Sequence, residues 1–261
     1  MHHMEEMLVV AERIGRVAHL QLNRPKKANV LNVELMAALS AHLAHLDGDD
    51  EVSVIVISGH PKFFAAGADV AAMVERSASD VIRERFLTGA WECVGRVRKP
   101  VVAAVTGYAT GGGCELAQAC DAIIAGESAR FGQPELALGT IPGLGGTQRL
   151  PRWIGRMRAM DWCLRARVVT AREAHDAGLV TQVVADADVV THAIAYAQEI
   201  AAYSLPALIL LKEAINRTAE MPLSAGLDLE KRLFYATFAF EDRREGMAAF
   251  LAKRPPVFRH A

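Results

Sequence analysis

The chain has 261 residues, 52% of them hydrophobic and 23% charged, enough for one large domain, or one domain with an appendage, around a substantial core. Abundant Leu, Val, Ile and Ala exclude disorder of the whole. Lys and Arg number 29 against 30 Asp and Glu, a formal charge of −1, which lacks the basic footprint of a dedicated nucleic-acid binder.

The elements follow in order. Met7 to Glu12 and Val17 to Leu22 read as paired strands around Ile14-Gly15-Arg16, and Asn23-Arg24-Pro25 breaks the second. From Val33, Met36, Leu39, Leu43 and Leu46 fall at helical spacing until Asp47-Gly48-Asp49-Asp50. Val52 to Ser58 is a buried, β-branched strand. A helix over Val70 to Glu75, with Asp69 as N-cap, and a longer one over Val81 to Arg98, ended by Pro100, are expected next. Val101 to Val105 and Ala122 to Ala125 are further strands, with a helical stretch through Ala119 between them. From Val189 helices dominate: Val189 to Ala202, Ala207 to Met221, Leu223 to Ala239 and Glu241 to Ala252, punctuated by Pro206 and Pro222. This is an α/β pattern with a largely buried sheet and an all-helical tail.

A membrane span needs roughly 20 apolar residues. The best candidate, Ala201 to Leu211, is shorter and contains Tyr203, Ser204 and Pro206. The start, Met1-His2-His3-Met4-Glu5-Glu6, lacks the apolar stretch of a secretory signal. A soluble, cytoplasmic protein with no membrane partner is expected. Cys93, Cys114, Cys120 and Cys163 form no CxxC pair and read as buried free thiols. His42 and His45 share a helix face without a third ligand, so no metal site is expected.

Three segments carry candidate chemistry. In Val101 to Leu116 an apolar strand runs through Gly111-Gly112-Gly113 into a helix whose first N–H groups suit an oxygen bearing negative charge. Cys114 and Glu115 follow where a phosphate loop needs Lys and Ser or Thr, and no GxGxxG is present. Alone, the segment is equally a tight turn with Glu115 favouring the helix dipole. Phe63-Phe64-Ala65-Ala66-Gly67-Ala68-Asp69 is a second small-residue connection. Two such loops aiming N–H groups at one point would form an oxyanion hole. Phe131-Gly132-Gln133-Pro134-Glu135 then sets a second carboxylate 20 positions after Glu115. A close, partly buried pair can divide into an acid and a base. Spacing alone does not show that they meet.

These segments, with Gly139 to Arg149, Asn23-Arg24-Pro25 and Glu241 to Phe250, resemble the enoyl-CoA hydratase (crotonase) family over nearly the whole chain, in order. The resemblance implies a crotonase-type spiral of ββα units with a C-terminal helical trimerisation region. Residues 1–198 would form the core and 199–261 the region that assembles trimers or dimers of trimers. It implies an oxyanion hole from the N–H groups of Ala68 and Gly112 for an acyl-CoA thioester oxygen. Glu115 and Glu135 would be the catalytic acids, and Gly143 would help hold the attacking water. Lys26, Ala66, Gly67 and Asp69 would lie along the CoA path. Phe250 and Lys253 would reach a neighbouring subunit's CoA. Relatives commonly carry a lysine two positions after the aspartate, where this chain has Ala71, so that contact is not expected. No metal, flavin or nicotinamide is expected, since neither electrons nor a hydride move, and CoA is part of the substrate. Two retained glutamates favour addition of water to a trans-2-enoyl-CoA, as in fatty-acid β-oxidation, over Δ3,Δ2 isomerisation. An RNA-binding homologue would need a lysine-rich helix, and Met36 to Leu46 holds none. An inactive scaffold sits poorly with both acids. The acyl pocket is expected from Met73 to Leu87.

Overall fold

The computed structural model describes residues 7–261; the polar start lies outside the described residues. β1 (Val9–Ile14) and β2 (Val17–Leu22) pair antiparallel around Gly15, with Ile14 opposite Val17. α1 (Val33–Asp47) starts at Asn32, whose side chain accepts from the Leu35 N–H at 3.0 Å, and buries Leu35, Met36, Leu39 and Leu43. Then come β3 (Val54–Ser58), β4 (Phe63–Ala65), α2 (Ala78–Arg83), α3 (Cys93–Arg96), β5 (Val101–Val105), β6 (Tyr108–Thr110), α4 (Gly112–Gln118), β7 (Ala122–Gly126) and β8 (Arg130–Gly132). After these come α5 (Gly146–Ile154), α6 (Arg156–Leu164), β9 (Val168–Thr170), α7 (Ala171–Ala177), β10 (Gln182–Val184) and α8 (Val189–Ala201). The chain closes with α9 (Leu205–Asn216), α10 (Leu223–Ala236) and α11 (Glu241–Leu251).

The strands divide between two sheets, ordered β1-β2-β3-β5-β7-β10 and β4-β6-β8-β9. Three successive strand pairs, β3/β4, β5/β6 and β7/β8, each give their first strand to the larger sheet and their second to the smaller. Each sheet gains parallel neighbours in step, and this advance is the spiral of ββα units. The crossing is tight. A Cβ on Gly107, between β5 and β6, would lie 1.9 Å from the Lys62 carbonyl oxygen, so only glycine lets β6 leave there.

Central strands are buried on both faces, which is why they read as unbroken apolar runs. Ile55 and Ile57 join the larger core with α1, whereas Val54 and Val56 join a second core beneath α8. α8 seats there through Val189, Ala193, Ala197 and Ala201, one residue per turn. Among the described residues no single helix is long and apolar enough to cross a membrane.

Several expected elements differ. β1 runs two residues later at each end, fixed by its register with β2. The helix expected over 70–75 is one 3₁₀ turn, Val70–Ala72, and the Asp69 side chain makes no cap; it faces Arg24 at 3.9 Å instead. The helix expected over 81–98 is broken. Arg85 and Leu87 take positive φ, as does Gly89, so the chain turns between α2 and a 3₁₀ segment, Gly89–Glu92. Phe86 packs edge-on against Trp91 across that break, 5.7 Å between rings, an apolar pairing that reads as continued periodicity. Four of the five strands that sequence patterns miss are the three-residue β4, β6, β8 and β9 of the smaller sheet, too short for alternation to register. Cys93 and Cys114 are buried free thiols; Cys120 and Cys163 are free but only part-buried.

Candidate active site

The N-terminus of α4 is the pivot. A Cβ on Gly113 would fall 1.9 Å from the Ala65 carbonyl oxygen, so glycine lets the helix start against the end of β4. This contact brings Gly112 to the loop that follows β4: a Cβ there would sit 3.4 Å from the Ala68 nitrogen. Leu31 fixes that loop. Its N–H donates to the Gly67 carbonyl at 2.7 Å, and its carbonyl accepts from the Asp69 N–H at 3.0 Å. Successive peptide groups of extended backbone point opposite ways, so the Ala68 N–H faces away from Leu31, toward α4. Among the described residues no protein acceptor takes the Ala68 or Gly112 N–H.

Glu115, in the first turn of α4, points inward and is 2% exposed. Its Oε1 accepts from the N–H groups of Leu144 and Gly146, each at 2.7 Å. Burial pushes its pKa up, while these two donors, the Arg149 charge and the Gly143 N–H oppose the rise. These two short bonds fix the Glu115 carboxyl in one orientation. Glu135 opens the 3₁₀ turn Glu135–Leu138 after β8. Burial, and then the charge of Glu115, raise its pKa to about 7 against the partial opposition of its own backbone N–H. A Cβ on Gly111 would lie 3.0 Å from Glu135 Oε1; one on Gly146 would lie 3.0 Å from Glu115 Oε1 and 2.8 Å from the side-chain amide of Gln133, which bonds Glu135. The structure therefore brings the two acids to one corner, beside the free Ala68 and Gly112 N–H groups.

Two buried amides stand behind that corner, and sequence reasoning passed over both. Gln133 satisfies its neighbours in one orientation: its amide nitrogen donates to Glu135 Oε1 at 3.0 Å and Oε2 at 3.2 Å, and its oxygen accepts from Gln118 Nε2 at 2.9 Å. Gln118 also donates to Cys114 Sγ at 3.2 Å. The sequence offers little signal for either: Gln118 follows Glu115 on the same helix, and Gln133 stands between Gly132 and Pro134, beside Glu135.

A cavity of about 190 Å³ adjoins Glu115 and Gly143, walled by Leu87, Trp91, Leu144 and Arg149 among others. Of the stretch Met73 to Leu87 only Leu87 reaches it, because the break in the helix turns that residue away from α2. Of the remaining candidates Gly67 lies near the acids, since a Cβ on Gly111 would be 3.8 Å from its Cα as well as 3.0 Å from Glu135 Oε1. The Ala66 N–H donates to the Ala28 carbonyl at 3.1 Å, joining this loop to the 3₁₀ turn of exposed Lys26. Gly67 is tied to Leu31, and Asp69 faces Arg24, so Lys26, Ala66, Gly67 and Asp69 share one rim. Phe250, 82% exposed, lies in the last turn of α11, and Lys253 follows two residues after the helix ends.

A spiral of strand pairs, two N–H groups left open at a helix start and two acids beside them define a class that comparison then identifies. The family model for enoyl-CoA hydratase/isomerase matches residues 12–261. A probable enoyl-CoA hydratase of Rhizobium meliloti is 50% identical over 252 residues, covering 97% of this chain and 98% of that protein. The 2,3-dehydroadipyl-CoA hydratase of Escherichia coli is 43% identical, covering 98% and 99%. The solved enoyl-CoA hydratase subunit I of Geobacillus kaustophilus superposes with a TM-score of 0.94 at 38% identity, covering 98% of this chain and 100% of that one. The chain belongs to the enoyl-CoA hydratase/isomerase family, its fold is the crotonase fold, and it is a hydro-lyase by family.

Proposed function

We propose that the protein adds water across the 2,3 double bond of a trans-2-enoyl-CoA to give a 3-hydroxyacyl-CoA, in fatty-acid β-oxidation. The observation that carries this reading is the meeting of Glu115 and Glu135 at one corner, beside two main-chain N–H groups without a protein acceptor. The thioester oxygen sits between the Ala68 and Gly112 N–H groups. Cβ becomes electrophilic because negative charge moving onto that oxygen is stabilised, and losing one such donor typically costs about 2.7–4 kcal/mol of barrier. Glu115, its Oε1 oriented by two N–H donors, takes a proton from water as the oxygen attacks Cβ. Glu135, whose pKa of about 7 keeps a proton available, delivers one to Cα. Gly143, on the cavity wall by Glu115, helps hold the water. The proton count closes: one leaves water, one reaches Cα, and the acids exchange roles through solvent. The reaction moves no hydride and calls for no cofactor; CoA enters and leaves with the acyl group.

In this reading Lys26, Ala66, Gly67 and Asp69 take the nucleotide side, and the cavity beside Glu115, with Leu87, Trp91 and Leu144 in its wall, takes the acyl chain. Residues 199–261 serve self-association into trimers or pairs of trimers, which would carry Phe250 and Lys253 to a neighbouring subunit's CoA. The test is spectrophotometric. Loss of the conjugated thioester absorbance of a 2-enoyl-CoA on adding enzyme supports the proposal. A flat signal, with 3-enoyl-CoA converted instead, would replace it with isomerisation.

A further inference from the structure

Gln118 occupies a place that packing alone does not explain. It lies on the last turn of α4, 2% exposed, and its Oε1 has no partner among the described residues. A buried polar atom left unpaired is destabilising, and an apolar side chain of the same length would avoid it. What Gln118 supplies is its other end. Nε2 donates to Cys114 Sγ, one turn back, and to the Gln133 amide oxygen.

The second of these bonds has a consequence at the acids. A glutamine amide can present either its oxygen or its nitrogen to a neighbouring carboxyl, and the two choices differ in the proton they require. Nitrogen toward Glu135 suits the carboxylate; oxygen toward Glu135 demands that the carboxyl be protonated, so that it can donate. Gln133 is 1% exposed. Its orientation is decided by whatever faces its far side. Gln118 faces it with an N–H, which accepts only the orientation with oxygen toward Gln118 and nitrogen toward Glu135.

We propose that Gln118 is a positioning residue for catalysis: it sets the polarity of the Gln133 amide and through it holds the Glu135 carboxyl in register with the substrate. It touches neither substrate nor reacting atoms. Gln118, Gln133 and Glu135 come from α4, the segment after β8 and the 3₁₀ turn that follows, so the relay also ties the two halves of the site together. The other titratable groups facing Glu135 are Glu115 and Cys114 on α4 and Cys163 on α6, with Arg149 of α5 beside Glu115. Burial pushes the Cys114 thiol up to about 12, so it stays a neutral partner for Gln118 throughout the working range.

The inference rests on the hydratase reading for its kinetic arm only. Gln118→Met keeps the length of the side chain and removes the donor. The expected result is an unchanged or raised Tm, kcat lowered about five- to twentyfold with KM within about twofold, and the alkaline limb of the pH profile moved upward by about half a unit or more. The direction follows from the lost donor, since the Gln133 N–H that favours the Glu135 carboxylate is no longer locked in place. Gln118→Asn, an amide too short to reach Gln133, should behave the same way and guards against a folding defect peculiar to Met. The Glu135 protonation midpoint, read from its carboxylic-acid infrared band with Glu135→Gln as the blank, requires no turnover and should rise in both variants. If kcat and the midpoint are both unmoved, or if kcat falls only in step with Tm while the midpoint stays, the proposal is overturned. Absence of hydration in the native enzyme with a moved midpoint would overturn the hydratase reading and leave the relay standing.

Discussion

β5 and α10 are both rich in apolar residues, yet every residue of the strand is buried and none of the helix is. β5 lies between β3 and β7, with one core on each face. α10 instead presents Leu223, Leu227, Phe234 and Tyr235 to solvent, and Phe250 and Leu251 of α11 are more than 80% exposed at 82% and 81%. Exposed apolar area of that kind marks an interaction surface, whereas the sheet is complete in itself. The difference teaches that the chain holds two kinds of apolar pattern, one satisfied within its own core and one left exposed at its surface. The candidate site belongs to the first region, since its acids hang from α4 and from the turn after β8.

Substitutions that separate the two regions sharpen this contrast. The largest effect is expected from Glu115→Gln, which keeps volume and removes the carboxylate proposed as the base. Hydration, followed by thioester absorbance, should fall about 10²–10⁴-fold, while sedimentation shows the native assembly. Wild-type turnover would reduce Glu115 to a structural residue that merely binds the Leu144 and Gly146 N–H groups. Glu135→Gln should fall within the same range.

Gly113→Ala comes next. The added methyl meets the Ala65 carbonyl oxygen at 1.9 Å, backbone against backbone, so α4 must move off β4. Overpacking of this sort destabilises by about 1–3 kcal/mol or more, and here it also separates Gly112 from Ala68. Activity should drop further than the loss of Tm accounts for. A variant with native kcat would show that the two N–H groups need not converge.

The C-terminal region is tested from the other side. Phe234→Asp on α10, in a residue 55% exposed in the single chain, should leave the fold of the protomer intact by circular dichroism and shift sedimentation toward monomer at micromolar concentration. An unchanged assembly would mean that α10 is not the covered face. If assembly is lost, KM for the CoA substrate is expected to rise more than kcat falls, because Phe250 and Lys253 would no longer reach a neighbouring site.

How much of this was legible differs between the same two regions. The five-residue strands of the large sheet, buried on both faces, show as unbroken apolar runs, and α1 shows through Met36, Leu39 and Leu43. The smaller sheet does not, because three-residue strands such as Tyr108–Thr110 carry no period and are fixed by neighbours far along the chain. Glu115 and Glu135 stand out as acids after glycine-rich turns. That the Ala68 and Gly112 N–H groups meet beside them depends on Gly113 meeting Ala65, a contact between residues 48 positions apart. Gln118 and Gln133 look like incidental polar residues until the amide orientation links them to Glu135. The mistaken helix over 81–98 has a related origin: Phe86 and Trp91 keep an apolar rhythm across a backbone break that only their packing explains.

The smallest effect concerns stability and carries the sign of the acid's role. Glu135 has a folded-state pKa of about 7 against an ordinary value of 4.5, so the native state holds its proton more tightly than the unfolded chain does. Stability from this group is therefore highest below pH ~4.5 and declines as pH rises toward ~7, where it levels. A difference of that size corresponds to about 3 kcal/mol at most, and water reaching the half-buried carboxyl screens it to about 1–2 kcal/mol. Glu135→Gln has no proton to lose, and its amide oxygen can still accept from Gln133. The variant should therefore melt higher than the native protein at pH 8 and close to it at pH 5, even as hydration disappears at both. Equal melting temperatures at pH 8 would mean that Glu135 ionises at little cost, and the acid at the corner would then have to be Glu115.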